Sequence, residues 1–160
     1  MITIREYKAD TGETPIRPRP PGHDEQSALQ QHCTQWQFWS WEETHRSLQD
    51  RRYHLLVASM GETWIGSLLY WVGIEHGELL YIFTDPLYRQ QGVGKALALY
   101  MEHQLRQIPT CQRLYLEVRA SNQAAQRLYR NLGLQETQVR KKYYADGEDA
   151  VIFTKEICSL

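Results

Sequence analysis

The sequence predicts a single α/β (α+β) domain built on one central mixed sheet, and three observations carry that prediction. Three short strand-like runs lie between His54 and Thr84, the spacing of apolar residues turns helical after Gly94, and a cleanly alternating run at Arg113–Arg119 leads into a capped helical stretch and two further strand-like runs. Strands followed by interleaved helices and strands make a layered domain of about six to seven strands and about four helices. The chain of 160 residues suits one domain, residues 1–160, and is long enough to bury a core without disulfides or metals.

Taken in order, Ile2, Ile4 and Glu6–Tyr7 alternate loosely as a first strand. Pro15, Pro18, Pro20 and Pro21 mark residues 11–22 as a loop, because proline lacks a donor and excludes helix from the residue before it. Residues 24–32 suit a short helix. Ser40, with Glu43 three residues on, suits a capping box after the aromatic stretch Trp36-Gln37-Phe38-Trp39-Ser40-Trp41. Runs 54–59, 63–72 and 79–84 read as an antiparallel meander, with Gly61 as a turn and Gly77 before the third run. Val93, Leu97, Met101, Leu105 and Ile108 form one stripe of a helix. In the run from Arg113, Leu114, Leu116 and Val118 face one way and Tyr115, Glu117 and Arg119 the other. Ser121 is the expected N-cap and Gly133 the expected stop of a second helix. Residues 135–143 and 150–157 read as a closing hairpin turned by Asp146-Gly147.

Composition narrows the function. With 18 basic and 19 acidic residues there is no bulk charge for binding nucleic acid. No apolar run approaches the roughly 20 residues of a membrane-spanning helix, and the opening residues carry no apolar signal core. Cys33, Cys111 and Cys158 are far apart, odd in number and without metal-ligand spacing, and the six histidines show none either. The expectation is a cytoplasmic protein with reduced thiols and no metal, nucleic-acid or membrane partner.

The stretch Arg89-Gln90-Gln91-Gly92-Val93-Gly94-Lys95 joins a strand to a helix. Glycines there let the backbone approach a ligand, and the unpaired N–H groups of a helix start suit a pyrophosphate. A tight strand-to-helix turn would use the same glycines. The stretch lacks the third glycine of a dinucleotide fingerprint and the Gly-Lys-Ser/Thr ending of a P-loop.

Arg89-x-x-Gly92-x-Gly94, preceded by Asp85-Pro86-x-Tyr88 and followed by the helical stretch, resembles the acetyl-CoA signature of the GNAT superfamily. Leu116-Glu117-Val118-Arg119-Ala120-Ser121-Asn122-x-x-Ala125-x-x-Leu128-Tyr129-x-x-Leu132-Gly133 resembles the hallmark of the N-terminal protein acetyltransferases within it. Arg140-Lys141-Lys142-Tyr143-Tyr144 with Gly147-Glu148-Asp149-Ala150 is similar to their C-terminal hairpin. The resemblance runs over residues 52–157. Outside that pattern, the proline-rich loop reads as an insertion, Phe38-Trp39-Ser40 stands where the family often has Pro-Trp-Ser, and Leu134 stands where phenylalanine is usual.

The resemblance implies a GNAT fold and an N-acetyltransferase with acetyl-CoA as cosubstrate. The implied acceptor is the N-terminal α-amine of a protein, a ribosomal protein in particular. Acetylation of a small-molecule amine or a lysine side chain, and a non-catalytic acetyl-CoA-binding module, are the alternatives. By the same resemblance Ile82, Phe83 and Thr84 run beside the pantetheine arm, a backbone N–H near Phe83 polarises the thioester, and Asn122 bonds the cofactor near its thiol end. The backbone from Gln91 to Lys95, in the turn begun by Arg89 and Gln90, holds the pyrophosphate, with Lys95 adding charge. Glu117 is the implied base and Tyr129 the implied acid, a phenol near 10 against a thiol near 8.5. Tyr143 and Tyr144 clamp the acceptor. The alternative roles are a solvated strand-face carboxylate for Glu117, helix-to-sheet packing for Tyr129 and cross-strand packing for the tyrosine pair. Trp36, Trp39 and Trp41 suit packing or the acceptor groove.

Overall fold

The structure is a computed structural model that describes residues 1–7 and 41–158. The proline-rich loop, the helix expected at 24–32, Trp36, Trp39 and the Ser40 cap fall outside those residues. Seven strands form one sheet: β1 (Ile2–Tyr7), β2 (Tyr53–Met60), β3 (Thr63–Val72), β4 (His76–Thr84), β5 (Arg113–Arg119), β6 (Gln135–Arg140) and β7 (Ala150–Glu156). Their spatial order is β1-β2-β3-β4-β5-β7-β6. Every pair is antiparallel except β4–β5, which is parallel.

Three α-helices accompany the sheet among the described residues: α1 (Trp41–Ser47), α2 (Val93–Arg106) and α3 (Gln123–Asn131), with a 3-10 turn at Pro86–Tyr88. About four had been expected. Ile108 lies past the end of α2, whose chain turns at Gln107, yet it still packs on the core. The N-cap of α3 is Asn122, one residue later than expected: its side chain accepts from the Ala125 N–H at 3.1 Å. Both Ser121 and Asn122 are good cap residues, and sequence alone does not choose between them. The closing hairpin is not a two-residue turn. β6 stops at Arg140, Lys142 takes a φ of 50°, and Gly147, at φ 84°, sits inside a loop over 141–149.

The sheet is buried on both sides. The main core gathers Leu114, Leu116 and Val118 of β5 with Val93, Leu97, Met101 and Leu105 of α2, so both apolar stripes expected from the sequence meet here. A smaller cluster of Leu55, Val57 and Leu69 packs on the opposite side with Leu48, Leu80 and Tyr81. Among the described residues no helix is long and apolar enough to cross a membrane.

Candidate active site

The parallel pair at the centre of the sheet is short. β4 and β5 are in register only from His76↔Arg113 to Leu79↔Leu116. β4 then continues to Thr84 and β5 to Arg119 without pairing each other, so the sheet opens between them. Ile82, Phe83 and Thr84 line the β4 side of that opening, held on their other side by Leu68, Ser67 and Gly66 of β3. Glu117 is the first β5 residue past the last pair.

The turn after β4 leads into α2. Gln90 and Gly92 both take positive φ, 60° and 84°, a conformation easy only for glycine at the second position. Gly92 caps α2 without any side-chain hydrogen bond, leaving the first N–H groups of the helix for an anion. A Cβ added to Gly94 would meet Leu128 of α3 at 3.4 Å, Thr84 Oγ1 at 3.6 Å and Ile82 at 3.7 Å, so this glycine keeps the border of the opening clear. These features fit a pyrophosphate-bearing ligand entering at the α2 start. Arg89 and Gln91 have their polar side-chain groups turned back onto the turn: Arg89 Nε donates to the Thr84 carbonyl at 3.3 Å and Gln91 Nε2 to the Leu87 carbonyl at 3.1 Å. The Val93 side chain is buried in the core and Lys95 is exposed.

Glu117 and Tyr129 lie on opposite sides of β5. Tyr129, on α3, is 5% exposed and packs against Phe153 with ring centres 5.9 Å apart. Its hydroxyl makes no hydrogen bond to the described residues, and burial, with Tyr144 nearby, pushes its pKa well above the usual phenol range. The expectation of a phenol near 10 is therefore corrected upward.

Glu117 is half-buried. Tyr115 donates its hydroxyl to Glu117 Oε1 at 2.6 Å, and Arg140 Nη1 donates to the same oxygen. The Tyr115 hydroxyl is pushed far up, first by burial and then by this bond. Glu78, opposite Tyr115 on β4, is also raised, by burial and then by the Glu117 charge. Tyr143 and Tyr144 meet edge-on at 5.3 Å in the 141–149 loop rather than on a strand. The loop is tied down by Glu148, which accepts from the Ser121 N–H at 2.8 Å and from Arg119 at 2.7 Å, while Arg119 stacks on Tyr144 at 4.0 Å. Asn122 spends its oxygen on the α3 cap, leaving its amide nitrogen facing outward on an exposed residue.

Sequence reasoning passed over Tyr115, Arg140 and Glu78 as site residues. Strand alternation puts Tyr115 on the face of Glu117 and could have found it. Arg140 comes from two strands away, and only the β5-β7-β6 order brings it near.

The sheet thus opens at its one parallel pair, with an uncapped helix start at its edge and the Glu117 carboxylate just past the last registered pair. A family model described as the Acetyltransferase (GNAT) family matches residues 18–134, and the chain belongs to that family. It is 38% identical over 124 residues to the [Ribosomal protein bS18]-alanine N-acetyltransferase of Escherichia coli, covering 74% of this chain and 81% of that one. Similarity to the N-alpha-acetyltransferase of Sulfurisphaera tokodaii is 38% identity over 79 residues, 49% of this chain and about half, 47%, of that protein. The crystal structure of the ribosomal-protein-S18-alanine N-acetyltransferase from Escherichia coli superposes with a TM-score of 0.78 at 30% identity, covering 100% of this chain and 96% of the other.

Proposed function

We propose that the chain acetylates the N-terminal α-amine of a protein, a ribosomal protein, with acetyl-CoA as donor. The observation that carries the reading is Glu117, the first β5 residue beyond the β4–β5 ladder, facing away from Tyr129 across the opened sheet. The similarity to the ribosomal-protein-alanine enzyme supports the acceptor class.

The start of α2, with Gly92 and Gly94, holds the pyrophosphate by backbone N–H groups. Ile82, Phe83 and Thr84 flank the pantetheine arm from β4. Acetyl-CoA supplies the acetyl group as a thioester, whose carbon–sulfur bond breaks as the bond to the amine nitrogen forms. Glu117 takes the proton the amine loses. An α-amine has a pKa near 8, against about 10.4 for lysine, so a carboxylate meets a useful neutral fraction at cellular pH. Tyr129 donates its hydroxyl toward the departing sulfur. Because its pKa is raised, full proton transfer is more uphill than for an ordinary phenol, and the hydroxyl serves first as a hydrogen-bond donor to the developing charge. The thiolate draws its final proton through Tyr129, which is re-protonated from water. Tyr143 and Tyr144 border the acceptor.

The test is thiol release from acetyl-CoA with a ribosomal N-terminal peptide, a lysine peptide with a blocked N-terminus, and polyamines. Turnover confined to the free α-amine supports the proposal. Comparable turnover on lysine or polyamine favours a side-chain or small-amine enzyme, and binding of acetyl-CoA without turnover on any acceptor favours a non-catalytic module.

A further inference from the structure

Glu117 is surrounded more closely than a solvated strand carboxylate needs to be. The hydrogen bonds from Tyr115 and Arg140 both end on Oε1. The Tyr143 hydroxyl also lies against this carboxylate, a contact that raises its pKa. Arg140 reaches Oε1 over β7, where Ala150 pairs with Arg119 on one side and with Arg140 on the other. Ala150 is fully buried, and its methyl leaves the lane above β7 open for the guanidinium. The same guanidinium lies 5.4 Å from the centre of the Tyr143 ring, so one side chain touches both the carboxylate and the acceptor-side tyrosine.

We propose that Arg140 and Tyr115 are positioning residues for acetyl transfer: by gripping Glu117 through Oε1 they hold the carboxylate in one orientation toward the acceptor amine. The inference rests on the reading of Glu117 as the base. A carboxylate on a strand has two free side-chain torsions beyond Cβ, and a base must lie within hydrogen-bond reach of the proton it takes. Two donors on one oxygen remove the freedom that would otherwise spoil that geometry. The ionisable groups on this side are Tyr115 and Arg119 on the same strand as Glu117, Glu78 on β4, Arg140 on β6, and Tyr143 and Tyr144 in the loop. Arg140 is the cation bonded to the carboxylate itself.

The test compares Arg140→Met, Arg140→Lys and Tyr115→Phe with the parent, each also in a Glu117→Gln background, using the α-amine peptide. In the parent background Arg140→Met should lower kcat by about tenfold or more, a part of the roughly 10²- to 10⁴-fold that a general base supplies. Acetyl-CoA affinity should stay within about twofold, since Arg140 touches no part of the α2 turn. The loss should fall on kcat with the KM for acetyl-CoA little changed in Arg140→Met and, less, in Tyr115→Phe, and Arg140→Lys should recover part of it. In the Glu117→Gln background the substitutions should add almost nothing, because the group they position is gone. Arg52→Ala removes an exposed ion pair with Asp50 away from the site and serves as the control. Equal losses in both backgrounds, or a lower melting temperature with an undiminished kcat, would overturn the positioning role. Should Arg140→Met not fold, Arg140→Lys and Tyr115→Phe decide by the same two criteria. Full turnover in Glu117→Gln alone would instead remove Glu117 as the base, a failure of the function and not of the geometry around it.

Discussion

Tyr129 carries a hydroxyl with no hydrogen-bond partner among the described residues, in a site that is 5% exposed. A fold gains nothing from such a group, since a phenylalanine would fill the same space without the desolvation cost. Tyr129→Phe is therefore expected to leave the melting temperature unchanged or raise it, while kcat falls by about 100-fold, the lower end of the range for acid–base groups. A thermal melt beside steady-state kinetics checks this, and a destabilised variant with full kcat would mark Tyr129 as packing. Glu117→Gln keeps the volume and an acceptor for Tyr115 but cannot take a proton. Its turnover should fall most at low pH and recover partly as rising pH leaves more of the acceptor neutral. That Glu117 and Tyr115 share a face is legible from the alternation in β5. Arg140 is not legible that way, because its closeness to Glu117 depends on which strand lies between them.

The turn into α2 and the loop from β6 to β7 frame the site from opposite ends. The α2 turn was readable because positive φ and helix-start geometry demand glycine at Gly92 whatever the tertiary context. Gly94→Val adds branches where Leu128, Thr84 and Ile82 already stand within 3.4 to 3.7 Å of a single Cβ. It should weaken acetyl-CoA binding by about tenfold or more in a protein that still folds, as overpacking at one contact costs about 1–3 kcal/mol; calorimetry with unchanged affinity would contradict the cradle. The 141–149 loop is not legible from the Asp146-Gly147 dipeptide because its anchor lies elsewhere in the chain. Glu148 is held at about 2 by the Ser121 hydrogen bonds and then by Arg119. A carboxylate depressed in the folded state stabilises it above the unfolded value near 4.3 and loses that contribution as pH falls toward the folded value. Acid titration of the parent should thus show a larger loss of stability below about pH 4.3 than Glu148→Gln does. Identical acid profiles would mean that Glu148 does not hold the loop.

At the scale of the molecule, the two faces of the sheet divide the work. One face carries α2 and α3 over the main core, and near its rim Glu102, 7% exposed, joins α2 to the rest: Arg106 and Lys155 both pair with it, and Lys155 also donates to the Leu132 carbonyl at the end of α3. Glu102→Ala should cost about 1.5–3 kcal/mol, the range for hydrogen bonds to a charged group, measured by urea denaturation. A change under about 0.5 kcal/mol, the level of an unremarkable surface substitution, would count against it. The opposite face carries the carboxylate network and the tyrosine pair. The opening between β4 and β5 follows from a parallel ladder of only four registered pairs. Sequence periodicity signals each strand but not where a ladder ends.

The central claim is that this opening receives a protein α-amine opposite a bound acetyl thioester. Mass spectrometry of a ribosomal N-terminal peptide containing an internal lysine, incubated with the protein and acetyl-CoA, tests it most directly. A single added acetyl group is expected, located by fragmentation on the first residue and absent when that amine is blocked beforehand. Acetylation of the lysine at an undiminished rate in the blocked peptide would contradict it.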